Sequence, residues 1–186
     1  AGMPKSFRKG LEAYRVLAGG RIDQAELARR LTPLEVVVDS AAQSAARRLQ
    51  VADRLLAHGE VDQAKAELEQ AMTLAPDSPA ARVLLAKAML MSGQPDQAIA
   101  LLDQVPAGGA PAWQISLLRA KALMAQGQWD QARPIVPEAL KLNPEPAEAH
   151  YLSGLVHEHD QQWQQAAAAY RRAFESASSR TAASQP

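Results

Sequence analysis

Cysteine is missing from this chain, which excludes disulfides and thiolate metal sites but leaves the compartment open. Aromatic residues are scarce, 4% against 47% hydrophobic in total. A core drawn from that pool is mostly alanine and leucine. It suits helices packed at close range and disfavours a sheet of β-branched residues. Net charge is missing too, because 20 basic side chains balance 20 acidic ones. A duplex-binding protein normally carries a basic excess, so no nucleic-acid partner is expected. Long apolar runs are absent. The densest, Val83–Met91, is broken by Lys87, whereas a spanning helix needs about 20 apolar residues, so no transmembrane segment is expected.

The start, Ala1-Gly2-Met3-Pro4-Lys5, lacks the apolar stretch of a signal peptide. Ala1-Gly2 ahead of Met3 reads as a cloning remnant, which leaves room for a removed leader or a larger parent protein. The expected product is soluble, cytoplasmic or periplasmic.

Catalytic signatures are also lacking. There is no Gly-x-Gly-x-x-Gly, no Gly-x-Ser-x-Gly and no His-Glu-x-x-His. His150, His157 and His159, beside Glu158 and Asp160, come nearest to a metal set. They read as one packed and two solvated histidines, because a zinc site wants convergent ligands with outer-shell support. Glu67 and Glu69 read as solvated helix charges rather than an acid–base pair. The expectation is therefore no enzyme, no metal and no cofactor.

What the chain does have is a period. Asp-Gln-Ala stands at 62–64, 96–98 and 130–132, and Gln-Gln-Ala at 164–166, each step being 34 residues. A further copy, Asp23-Gln24-Ala25, precedes the first by one period plus five. A fixed step of this size marks a stacked repeat array. Blocks cut at 45–78, 79–112, 113–146 and 147–180 align in columns. The eighth position reads Ala52, Ala86, Ala120, Gly154, and the twentieth Ala64, Ala98, Ala132, Ala166. Small residues there let two helices approach closely. The twenty-fourth position, Leu68, Leu102, Val136, Tyr170, is large and fills the space between layers. Gly59, Gly93 and Gly127 share the fifteenth position, where a positive φ ends the first helix of each block. Pro76 and Pro144 stop the second.

These columns resemble the tetratricopeptide repeat (TPR) family, at full strength over about 45–180 and weakly back to about residue 6. The resemblance implies an all-α, right-handed superhelical solenoid of antiparallel helix pairs. It departs from the family at the fourth position, usually aromatic, which holds Arg48, Arg82, Ser116 and His150. At the seventh, usually Leu, stand Val51, Leu85, Arg119 and Ser153.

Residues 1–44 read as a divergent segment, a helical pair plus a short insertion. Ser6 caps a helix to about Ala18, Gly19-Gly20 turns the chain, and a second helix runs from Asp23 to near Leu31. Thr32-Pro33-Leu34-Glu35 has the form of a fresh helix start. The Val36-Val37-Val38 run after it reads as an added turn or two of helix, or a short strand. The second block's second helix should end near Gln104, before Pro106-Ala107-Gly108-Gly109-Ala110-Pro111. Pro137 should kink the third block's second helix. The tail from Ser176 reads as frayed and 181–186 as disordered.

In TPR proteins the first helices of the pairs line a concave groove. Carried over column by column, that implies a partner site of Leu49, Asp53, Leu56, Val83, Lys87, Leu90, Met91, Leu117, Lys121, Met124, Tyr151 and Leu155. It is largely apolar, with Lys87 and Lys121 placed to orient an acidic group. The Lys and Asn arrangement by which some co-chaperones of the family clamp acidic tails is not present. The resemblance thus implies a scaffold or adaptor that binds a hydrophobic or amphipathic helical segment of a protein or peptide partner. Two alternatives are a chaperone or assembly factor for a bacterial secretion, pilus or envelope complex, and a targeting domain excised from a larger enzyme. No polar capping helix follows the last block, so Tyr170 and Phe174 are expected to be partly exposed or covered, self-association being one way to cover them.

Overall fold

The computed structural model describes residues 24–143 and 146–183, of which 24–39 and 180–183 are described by backbone course alone. Among the described residues eight helices follow one another: α1 (Gln24–Ala57), α2 (Val61–Leu74), α3 (Pro79–Met91), α4 (Pro95–Asp103), α5 (Ala112–Ala125), α6 (Trp129–Leu142), α7 (Ala147–His159) and α8 (Trp163–Ala183). No strand occurs among those residues.

Local chemistry sets most of the helix ends. Ser78 caps α3, its Oγ accepting from the Ala81 N–H at 3.3 Å, and Pro79 opens the helix. The turn within each pair repeats one device. The N–H of Glu60, Gln94, Gln128 and Gln162 reaches back to the carbonyl of Leu55, Met89, Leu123 and His157, at 2.9, 2.9, 2.8 and 2.8 Å. That long return bond requires a left-handed residue just before it. Gly59, Gly93 and Gly127 supply it at φ +80°, +71° and +74°. In the fourth pair Gln161 takes the same conformation at φ 59°.

The two helices of a pair close on the small columns. Ala52 and Ala64, Ala86 and Ala98, and Ala120 and Ala132 are all fully buried. Leu68, Leu102 and Val136 are buried beside them. Successive helices pack in chain order, and α1, α3, α5 and α7 also touch one another in turn. Among the described residues no two of α2, α4, α6 and α8 touch. The layer whose members meet is the inner one, so α1, α3, α5 and α7 line the concave side.

Two expectations are corrected. The helix end near Leu31 and the fresh start at Thr32-Pro33 are absent, because α1 runs unbroken from Gln24 to Ala57 and so crosses the expected 44/45 boundary. A proline's φ is already helical, and mid-helix it removes only its own hydrogen bond and strains one turn, so a cap-like tetrapeptide need not interrupt a run that is helical on both sides. The Val36–Val38 run is helix, the first of its two expected readings. Finally, α8 continues to Ala183 instead of fraying from Ser176. Elsewhere α4 stops at Asp103, as the following Pro/Gly run implies, and α6 stays helical through Pro134 and Pro137. The expected helix from Ser6 to Ala18, the Gly19-Gly20 turn, Pro144 and residues 184–186 lie outside the described residues.

Candidate functional site

The concave side carries an open cleft of about 350 Å³ at the first two pairs. Leu49, Gln50 and Asp53 come from α1, and Ala80, Val83 and Leu84 from α3. The far wall is the segment between α4 and α5, through Gly109, Ala110 and Pro111, with Gln114 just inside α5. The short α4 makes this wall possible. Helix formation stops at Asp103, and the chain folds back over the start of α3, where a Cβ on Gly109 would lie 2.9 Å from Pro79. Gly108 turns the segment at φ +77°. The surface is chiefly apolar, with two amides, Gln50 and Gln114, and one carboxylate, Asp53, at its edges.

Charges on this side are matched across the repeats. Lys87 Nζ donates to Asp53 Oδ1 at 3.2 Å, one full period away. Lys121 pairs with Glu148. Between α5 and the outer helix α4, Arg119 meets Asp103 at 2.6 Å, and Gln126 donates to Asp96 at 2.7 Å. The two lysines expected as orienters are thus already engaged by protein carboxylates. An incoming acid would have to displace one of them, in pairs exposed enough that each is worth only about 0–1 kcal/mol.

Of the twelve expected partner-site residues, the cleft gathers Leu49, Asp53 and Val83, with Lys87 at its edge through Asp53. Packing draws four residues inward. Leu56, Val83 and Leu117 are 2–3% exposed and Met124 is 9% exposed. They fill the spaces between neighbouring pairs, Leu56 with Leu85 and Ala88, and Leu117 and Met124 with Val136 and Leu152. As surface anchors Leu56, Leu117 and Met124 are corrected, while Val83 shows only the edge of its side chain to the cleft floor. On a tightly wound inner layer, the columns that face the next first-helix are covered by it. Leu90 and Leu155 are half-buried against the same clusters. Met91 and Tyr151 remain exposed. Tyr151 lies far along the array, its ring 5.7 Å from that of Tyr170.

The residues that column reasoning missed are Ala80, Gly109, Ala110, Pro111 and Gln114. The Pro/Gly run at 106–111 was the available signal. It marks a helix end, but nothing local says that the freed segment folds over the groove.

The histidines do not converge. His157 Nδ1 lies 2.7 Å from the Gln162 side-chain oxygen, and the His159 ring stacks on Trp129 at 4.3 Å between centroids. Among the described residues no three His, Asp or Glu side chains are placed to hold one metal ion. Beside them Arg133 clasps Asp160 with two nitrogens, at 2.9 and 2.7 Å. These bonds hold the Asp160 carboxyl below its usual range, and they hold the Arg133 guanidinium above its own, with Asp130 adding to the effect.

Two tetratricopeptide repeat family models match the sequence, over residues 55–122 and 117–180. Together they span more than half of it. The chain belongs to the TPR family. Membership supports a protein-interaction scaffold as its general role, and TPR repeats are in general non-catalytic. No curated protein matches the chain. Among solved structures, TTC0263, a thermophilic TPR protein of Thermus thermophilus, is 23% identical with a TM-score of 0.63, over 71% of this chain and 74% of that one. Pseudomonas aeruginosa pilF is 21% identical with a TM-score of 0.59, over 74% of this chain and 63% of that one. MamA is 16% identical with a TM-score of 0.54, over 86% of this chain and 98% of that one. At these identities the likeness is one of fold, an all-α TPR solenoid. No described helix of this TPR chain is long and apolar enough to cross a membrane.

Proposed function

We propose that this TPR chain is a non-catalytic scaffold that takes an apolar segment of a partner protein into the cleft between α1, α3 and the 106–111 segment. The observation that carries the reading is the cleft itself, with its apolar floor of Leu49, Val83 and Leu84. Its edges offer Gln50 and Gln114, amides suited to a partner's backbone N–H and C=O groups. Burial of apolar surface then supplies the affinity, and the amides supply orientation. The charges nearby are already paired, so binding depends little on salt. Of the expected site, Leu49, Asp53, Val83 and Lys87 belong to this reading, with Leu90 and Met91 further along the same face. Self-association through the fourth repeat is part of the proposal, as a contact separate from the cleft.

The test is selection of a displayed random-peptide library on the wild-type chain, followed by rebinding to variants. Enriched peptides should share apolar positions and should lose binding to Ala80→Glu and to Gln50→Trp, both made at exposed positions of the cleft lining. Leu142→Glu, on the exposed end of α6, should bind as wild type does, and circular dichroism should show all three folded. Peptides indifferent to both cleft substitutions would remove the cleft from the reading.

A further inference from the structure

In the first and third pairs, the edge of the second helix is covered by the next pair. Val61, Pro95 and Trp129, at the seventeenth position, are half-buried, and Trp129 stacks on His159 of the following pair. At the twenty-eighth, Met72 and Leu140 pack into the neighbouring clusters. The same columns of α8 hold Trp163 and Phe174, which are 64% and 73% exposed. They belong to a longer stripe, Trp163, Ala167, Tyr170, Phe174 and Ala177, spaced by four, three, four and three residues. That spacing keeps five apolar side chains in one line along a helix, the seam of a helix–helix contact. All five are exposed except Tyr170, which is half-buried. Tyr151, also exposed, flanks the stripe through its contact with Tyr170.

The geometry points to a second copy of this chain as the occupant, bound as a two-fold dimer with α8 antiparallel to α8. This rests on the self-association reading above and not on the cleft. Three observations commit it. First, the stripe is self-complementary. With Tyr170 on the axis, Trp163 faces the other copy's Ala177 and Ala167 faces the other copy's Phe174, so large meets small on both sides. Second, successive helices of the array pack on one another in chain order and alternate in direction, so a two-fold-related α8, antiparallel to the first, continues that alternation. Third, head-to-tail stacking is disfavoured. First-helices meet the preceding pair through their third, sixth and tenth positions, which read Ala81, Leu84 and Ala88 in α3, Ile115, Leu118 and Ala122 in α5, and Ala149, Leu152 and Val156 in α7. In α1 those positions are Arg47, Gln50 and Arg54, all exposed. Seating them on Trp163 and Phe174 would desolvate two guanidinium groups. The closed two-fold contact leaves them in water.

The experiment is sedimentation equilibrium of the full chain over a concentration series. Wild type should pass from monomer to dimer and no further. Phe174→Glu should abolish the dimer with helicity unchanged, since its side chain stands in solvent, and Trp163→Glu should do the same. The chain has no cysteine, so single cysteines report the register. Arg171→Cys lies beside the axis and should oxidise to a covalent dimer. Gln164→Cys should not, because antiparallel copies hold its two sites roughly 20 Å apart at 1.5 Å per residue. A monomer at every concentration overturns the proposal and leaves the stripe to a helix of another chain. A dimer that survives both glutamate substitutions, or that links through Gln164→Cys, overturns it as well. Because Ala80→Glu leaves α8 untouched, loss of peptide binding with an intact dimer, or the reverse, separates failure of the cleft from failure of this interface.

Discussion

The Tyr170 ring fills the space into which a Cβ on Gly154 would project. The fourth pair thus carries a more extreme form of the size pattern in the first two, where alanine at the eighth position faces leucine at the twenty-fourth. Tyr170 also donates to Glu158 Oε2 at 2.5 Å, which ties α8 back to the last turn of α7.

Gly154→Ala should therefore destabilise the chain although alanine is the better helix former. Overpacking against a ring costs roughly 1–3 kcal/mol, more than the about 0.5–1 kcal/mol that alanine gains over glycine in a helix. Adding Tyr170→Leu, which restores the pairing of the first two repeats, should recover part of the loss. Urea midpoints of the two single variants and the double variant measure the coupling.

Gln161→Gly should stabilise. A left-handed conformation costs a non-glycine residue roughly 1–2 kcal/mol, and glycine's own entropy offsets part of the relief. Gly127→Ala, the mirror change one repeat earlier, should lower the melting temperature, and a rise there would contradict the shared turn.

Leu117→Ala should cost about 2–5 kcal/mol, as a fully buried leucine does. Leu90→Ala, in a half-buried position on the same layer, should cost clearly less. Equal losses would mean that the inner layer is covered evenly, against the burial described above.

Ala132→Leu should overpack the contact of α6 with α5 and cost roughly 1–3 kcal/mol. An unchanged melting temperature would mean that α6 is rotated from the register in which Ala132 is fully buried.

At high pH the Tyr170 phenol should matter. Burial first, and then its hydrogen bond to Glu158, push it up to about 12. A folded-state value above the unfolded one, about 10 for a free tyrosine, stabilises the fold below the unfolded value. That contribution is lost as pH rises through the folded one. Tyr170→Phe should therefore be less stable than wild type near neutrality, and the two denaturation midpoints should converge under alkali.

By itself the sequence determined the helix pairing and its small-residue contacts. A 34-residue period places the same chemistry at the same turn of every pair, and neither alanine at the eighth and twentieth positions nor glycine at the fifteenth needs a distant partner to be read. It was a poorer guide where a local signal competes with a longer run. Thr32-Pro33-Leu34-Glu35 has the form of a start, yet α1 passes through it, because helix on both sides outweighs a cap-like tetrapeptide. Gln161 carries no local mark of its left-handed turn; only its place in the glycine column hints at it. The tertiary structure alone decided which groove residues face solvent. Leu49 and Leu117 hold the same position in their repeats, yet one lines a cleft and the other is core. The difference lies in what the next pair and the 106–111 segment cover, and that depends on the pitch of the stack rather than on any single helix.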